Sequence, residues 1–416
     1  MSRLADRLRR IGRTGSAPRT KLRERLHRAW PPPARSGRRT PLERLVAGER
    51  VDTPAGPVLR VERTVPAGRN HGRLPVARLA ELPLPALREI FPEELGPVAD
   101  AREIAFLDTE TTGLAGGAGT VAFLVGVGRW DPGAGGFRVV QLFLEDLDRE
   151  AALLHALARE LHGTRCLVTF NGRGFDVPLL ETRHVLARAP WPLAGVPHLD
   201  ILPPCRTLWR SSHPDCRLAT LEAGVLGFRR RGDVPGSQIP TAYLRHLRGE
   251  DAGAVPAVFL HNRLDIVSLA GLLWAAGEAS KSPRGSTACG VGLLHARRRR
   301  HDRAREALES GLAGRLGRAE RLRALRELGA VLKAQGMWAR ALEVWAEMRR
   351  LDPGALLPVE EAAKALEHRL GDPAGALGIV EGALSHPWWP PRDREALEHR
   401  RARLLRKTAA LPADDA

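Results

Sequence analysis

From about residue 100 the chain breaks into short apolar runs. "EIAFLDTE", "TVAFLVGVGRW" and "FRVVQLFLED" are rich in β-branched, aromatic and leucine side chains and are joined by Gly-rich connections, which predicts three consecutive strands in an antiparallel meander. The period then lengthens. "DREAALLHALARELHG" has helical spacing, "CLVTFNG" is again strand-like, and "FDVPLLETRHVLARA" is helical. Three strands, a helix, a strand and a helix predict an α/β mixed sheet flanked by helices, over residues 100–280. "RLATLEAGVLG" and the long, largely apolar "AVPAVFLHNRLDIVSLAGLLWAAGEA" complete that region as helices. Upstream, "AGERVDTPAGPVLRVERTV" predicts a small hairpin around Pro54 to Pro57, and residues 46–99 are expected to form a hairpin and linker region of their own.

Beyond Gly285 to Gly290 the pattern is helical and alanine-rich. Residues 322–353 fit a tetratricopeptide (TPR) pattern, with Leu325, Leu328, Gly329 and Leu332 on one helix and Gly336 at a turn. Ala341, Trp345 and Met348 follow on a second helix, with Pro353 after it. The spacing recurs at Ala376, Val380, Ala383 and Pro387, and less clearly at Ala304, Leu308 and Gly311. An all-α TPR-like helical repeat domain over 290–408 is therefore expected, with an ordinary helical bundle as the plain alternative. At the other end, residues 1–45 form a basic arm. There Leu4, Leu8 and Ile11, then Leu22, Leu26 and Trp30, have the spacing of two short helices.

Charge sharpens this division. The 416 residues carry a formal net charge of +17, and the basic residues are nearly all arginine, with five lysines. Residues 1–50 hold fifteen Arg and Lys against four Asp and Glu, which fits either attraction to a polyphosphate or a solvated tail. Cys166, Cys205, Cys216 and Cys289 are scattered, without the paired spacing of a structural zinc site or a secreted disulfide framework. No apolar stretch has signal-peptide or membrane-spanning length. The expectation is a cytoplasmic protein with no membrane partner.

The candidate chemistry begins in "FLDTETTG". Asp108 and Glu110 end an apolar strand, and residues two apart point to one face of a sheet. Two buried anions that close repel unless a cation lies between them, whereas solvated acids or a helix cap would need none. Asp176, in "TFNGRGFDVPLL", follows another apolar strand, beside Asn171 and Gly172. Asp265 lies in "HNRLDIVSL", within a helix otherwise built for burial. Each acid alone suits a cap or a surface position. Together they offer four carboxylates from three elements, the oxygen-rich set that hard divalent cations require.

At these strings the chain resembles the DEDD superfamily, the ribonuclease H-like 3′–5′ exonucleases. "FLDTETTGL", "TFNGRGFDVPLL" and "HNRLDIVSL" look like its three motifs. "HLDILPPCRTLWR", "CRLATLE" and "DVPGSQIP" bring it closer to the bacterial YprB-like branch, in which TPR repeats follow the nuclease domain. The resemblance implies two ions, Mg2+ or Mn2+. Asp108 would bridge both, Glu110 and Asp265 would complete one site, and Asp176 would hold the second largely through water. One ion would activate the attacking water and the other stabilise the leaving 3′ oxygen. Asn171 and Phe175 would seat the terminal nucleotide, Thr111 and Thr112 would donate hydrogen bonds to its sugar, and Asp200 would brace a ligand or a backbone amide from behind.

His261 departs from the pattern. One branch of the superfamily has histidine five residues before the final aspartate and the other has tyrosine four before it; here histidine takes the tyrosine spacing. Positions four apart share a helix face, so His261 and Asp265 can look into one cleft. The imidazole could orient or deprotonate the water, donate to phosphate, or simply pack. The expected activity is hydrolysis at the ends of single-stranded RNA or DNA, with a protein partner at the TPR-like repeats. The alternative is a catalytically weak nucleic-acid-binding adaptor, and a structure-selective endonuclease is a third option.

Overall fold

The computed structural model describes residues 41–113, 119–250 and 252–409. The greater part of the basic arm, residues 1–40 with its two expected helices, lies outside the described residues, as does most of "GLAGGAG". Two compact units emerge. The first comprises the described residues up to Leu84 with Glu93–Leu202 and Leu221–Trp274, and the second comprises Pro85–Pro92, Pro203–Thr220 and the described residues from Ala275 onward.

A seven-stranded mixed sheet organises the first unit. Its strands are β1 (Glu49–Thr53), β2 (Gly56–Pro66), β3 (Ile104–Thr111), β4 (Ala122–Asp131), β5 (Gly136–Phe143), β6 (Cys166–Thr169) and β7 (His198–Asp200). They lie in the order β1-β2-β5-β4-β3-β6-β7. β3, β4 and β5 form the predicted antiparallel meander, while β6 and β7 add parallel to β3. Parallel neighbours need crossovers, supplied by helices α1 (Glu150–Glu160) before β6 and α2 (Asp176–Leu186) before β7.

Two boundaries differ from the sequence reading. The hairpin at 49–66 is not a separate region, because β2 pairs antiparallel with β5 from Leu59↔Phe143 to Pro66↔Gly136. Val58, Leu59 and Val61 share one core with Val140 and Leu142. That pairing spans some eighty positions of sequence, so nothing local announces it. Likewise 85–92 and 203–220 cluster with the helical unit rather than with the sheet.

Helix α3 (Ile239–Leu247) buries Ile239, Ala242 and Tyr243, and Tyr243 stacks on Phe123 with ring centroids 4.0 Å apart. α4 (Val255–Lys281) lies against β4 unusually closely. A Cβ added at Gly126 would stand 2.2 Å from Asn262 Oδ1 and 2.3 Å from Ile266 Cδ1, and one at Gly128 would stand 2.4 Å from Ile266 Cγ2. Two glycines on β4 therefore set how near the helix comes.

The second unit is a run of helices. α5 (Gly285–Arg297), α6 (His301–Leu312), α7 (Arg318–Ala334), α8 (Trp338–Leu351), α9 (Leu356–Arg369), α10 (Pro373–Leu384) and α11 (Pro391–Ala409) follow one another with short turns. Leu325, Leu328, Leu332, Ala341, Trp345 and Met348 are buried together, and Gly336 adopts φ +71° at the turn. Gly329 lets the Trp345 indole close in, since a Cβ there would meet Nε1 at 2.6 Å. No described helix is long and apolar enough to cross a membrane.

Replacing Gly126 by valine should cost about 1–3 kcal/mol through overpacking against Asn262 and Ile266, read from urea unfolding. Gly68→Ala, where a Cβ meets nothing within 4 Å, should leave the midpoint in place.

Candidate metal centre

β3 delivers the first two acids. Asp108 pairs across the sheet with Gly126, and Gly126 pairs in turn with Gln141 on β5, so these three positions form one row on one face. Register slips between Glu110, opposite Leu124, and Thr111, opposite Ala122. This irregularity ends regular pairing where the acids emerge.

Asn262 on α4 lies over that row. Its Nδ2 donates to Asp108 Oδ2 at 2.8 Å and to the Asp108 carbonyl at 3.2 Å. Its Oδ1 accepts from Gln141 Nε2 at 2.8 Å, and Gln141 also donates to the Phe259 carbonyl at 2.8 Å. The Asn262 amide thus uses both its nitrogen and its oxygen where burial would penalise an unpaired polar group.

α2 begins at Asp176, as the sequence predicted. The turn before it holds Asn171 at φ +68° and Gly172, where a Cβ would come within 2.5 Å of Thr169 Oγ1. Asp200, at the end of β7, accepts the main-chain N–H groups of Asn171 at 2.8 Å, Arg173 at 3.2 Å and Leu202 at 3.1 Å. It braces the turn that carries Asp176. The Asp176 carboxylate accepts the Thr109 hydroxyl. Asn171 is exposed and Phe175 half-buried at the helix start. Thr111 and Thr112 are used locally: the Thr111 hydroxyl donates to the Gly113 carbonyl at 3.0 Å, and Thr112 Oγ1 accepts Val121 N–H at 3.1 Å.

One helical turn brings His261 and Asp265 together, with Nε2 3.6 Å from Asp265 Oδ2. The other imidazole nitrogen, Nδ1, lies 2.8 Å from Asp233 Oδ1. A carboxylate can only accept, so Nδ1 carries a proton, and Nε2 is the nitrogen turned to the side of Asp265. Arg230 Nη1 stands farther from Nδ1, at 3.4 Å. Glu110, His261 and Asp265 each offer one ligand atom, and these atoms all lie within 4.8 Å of one another.

Asp108 and Asp176 stand outside that triplet but inside its field. Burial raises the Asp108 pKa well above the carboxylate range, and the charges of Asp265, Glu110 and Asp176 add to it, while the Asn262 bond opposes. Glu110 is pushed up to about 9 by burial, then by Asp265, Asp176 and Asp233. Burial raises Asp176 to about 6 against the Thr109 bond. Asp265 is raised by burial despite Arg230 and His261, which pull the other way. Four carboxyls that resist ionising together fit an oxygen-seeking divalent cation, which would take the place of the protons. Asn262 engages one oxygen of Asp108, and the Thr109 hydroxyl with main-chain N–H groups engages Asp176.

The sequence profile of the RNase_H superfamily matches residues 105–276, which contain all of these groups. The uncharacterized protein YprB of Bacillus subtilis (strain 168) is 31% identical over 311 residues, 73% of this chain and 74% of YprB. The chain shares a family with YprB and carries an RNase H superfamily domain.

On this RNase H frame the sequence reading missed the residues that hold the acids in place. Arg230 donates to both oxygens of Glu222 at 2.7 Å each, to Asp233 Oδ2 at 3.1 Å and to Asp265 Oδ1. Burial alone would lower its pKa, but the Glu222 bonds and the charges of Asp265 and Glu222 outweigh it and raise the value. Glu222 is 1% exposed and also accepts the Ser268 hydroxyl, which meets His71 Nε2 at 2.7 Å. Asp233 lies in the string "GDVPG" with Arg230 two residues before that string, and Asn262 sits beside His261, but their partners across the cluster are remote in sequence. A buried Glu within the apolar "RLATLEAGVLG" was the one available signal.

A carboxyl whose pKa rises on folding binds its proton more tightly in the folded chain. Its stabilising contribution is fully present below the ordinary 4.5 of Glu110 and is lost as pH climbs through about 9. In EDTA, thermal stability should therefore fall across that window, Glu110→Gln should flatten the fall, and added Mg2+ should raise Tm most at its alkaline end. Arg230→Met, which strands buried Glu222, should cost about 3–5 kcal/mol in chemical denaturation.

Proposed function

We propose that this protein is a divalent-metal-dependent 3′–5′ exonuclease acting on the ends of single-stranded nucleic acid. The observation that carries the reading is the gathering of Glu110, His261 and Asp265 ligand atoms within 4.8 Å, beside two further carboxyls whose protons are held by mutual repulsion and burial. Asp108, Glu110, Asp176 and Asp265 are the residues that would hold Mg2+ or Mn2+. When bound, such ions supply Lewis-acid polarisation of the scissile phosphate and neutralise charge on the leaving oxygen.

The chain's own groups do the rest. His261, with Nδ1 turned to Asp233, keeps a lone pair at Nε2 to take a proton from an attacking water. Asp233 holds the ring against rotation. Asn262 fixes the Asp108 carboxylate from one side, and Arg230 fixes Asp265 from the other. Asn171 and Phe175, on the turn that Asp200 braces, would meet the terminal nucleotide, the phenyl ring by stacking or wedging. Helices α7 and α8, with buried small residues and a left-handed glycine between them, support the TPR-like reading of the second unit.

Purified protein with 5′-labelled single-stranded RNA and DNA should yield a one-nucleotide ladder in Mg2+ or Mn2+ that vanishes in EDTA and in Asp108→Ala. His261→Ala should lower kcat about 10²–10⁴-fold with a much smaller change in KM. Binding without cleavage under every metal would select the adaptor reading, and cleavage of circular substrate the endonuclease.

A further inference from the structure

The second unit contains a groove of about 530 Å³ bordered by α7, α8, α9 and α11. Five of its lining side chains are cationic, Lys333, Lys364, Arg369, Arg400 and Arg403, and one is acidic, Glu361. Trp338 also lines it, and the Arg369 guanidinium lies 5.5 Å from the centre of that indole. Glu361 pairs with Lys333 and Lys364. Lys364 also pairs with Glu360, and Arg403 donates through Nη2 to buried Glu367 while its Nε is buried with no hydrogen-bond partner. Among the described residues no carboxylate pairs with Arg369 or Arg400, so these two guanidinium groups are the uncompensated charge that an anionic occupant of the groove would meet.

We propose that this groove is a binding site for the phosphate backbone of single-stranded nucleic acid, apart from the catalytic centre. Guanidinium forks match phosphate oxygens in geometry as well as charge. A tryptophan with an arginine over it adds a surface on which a base can stack without regard to sequence. The space suits a nucleotide with its phosphates and is too small for a duplex. The choice of nucleic acid over an acidic peptide rests on the nuclease reading of the first unit. By this inference the helical unit handles the strand itself, where the sequence alone led us to expect a protein partner.

The test is fluorescence anisotropy with the full-length Asp108→Ala chain in EDTA, using labelled oligouridylate and oligothymidylate over a salt series. Single-strand binding loses about 0.7 in log–log salt slope per phosphate contact. Arg369→Gln with Arg400→Gln should therefore weaken binding roughly ten-fold near physiological salt and flatten the slope by about 1.4. The matching pair of lysine substitutions should restore most of the slope, which separates charge from structural damage, with circular dichroism melting as the check on folding. An unchanged affinity and slope in the glutamine pair overturns the proposal. So does competition by polyglutamate equal to that of an oligonucleotide of the same charge. If the chain binds through these arginines yet the wild type never cleaves, the groove stands and the nuclease reading fails; if it cleaves and the slope does not move, the reverse holds.

Discussion

Asn262 joins helix α4 to the sheet through a single side-chain amide, and the placing of the acidic cluster depends on that junction. The amide lies over Asp108, Gly126 and Gln141, three cross-strand neighbours, donating to the first and accepting from the third. It fits because the middle position has no Cβ: any larger residue at Gly126 would occupy the space of Oδ1. Since His261 and Asp265 belong to the same helical face region as Asn262, the contact that seats the amide also sets the distance from those two residues to Glu110. A packing constraint at one glycine is thereby turned into the geometry of a potential ligand set.

That arrangement is electrostatically costly on its own, and the protein distributes the cost over two kinds of contact. Asp108 and Asp176 receive neutral donors, Asn262 and the Thr109 hydroxyl, which hold them without cancelling their charge. Asp265 receives a full cation, Arg230, itself locked by two bonds to buried Glu222. The guanidinium engages Asp265 Oδ1 while Oδ2 faces His261, so one oxygen anchors the side chain and the other is turned to the cluster. Asp233 serves both halves of the network, accepting from Arg230 and from His261. The same residues that neutralise the acids also fix their orientation, which is the condition for ligands that must meet an ion with little rearrangement.

The two units use arginine differently. In the first, Arg183 with Glu150 and Arg230 with Glu222 are buried counter-ions within the fold. In the second, several basic side chains border an open groove in excess of the acids around it. Net charge by itself does not distinguish a solvated surface from a recognition surface. Concavity, an aromatic neighbour and unsatisfied donors do.

Much of the architecture was legible because it is local. The meander of β3, β4 and β5, the crossover helices and the positions of Asp108 and Glu110 at a strand end and Asp176 at a helix start all follow from periods of two and 3.6 residues. The i, i+4 relation of His261 and Asp265 is likewise written in the helix. What only the tertiary structure decided is which distant segments meet: β2 on β5, Asn262 on Asp108, and Arg230 and Asp233 on the helix thirty residues beyond them. Those pairings depend on shape and buried charge balanced across the folded chain. A one-dimensional pattern carries the propensity of each segment but not the identity of the partner that satisfies it.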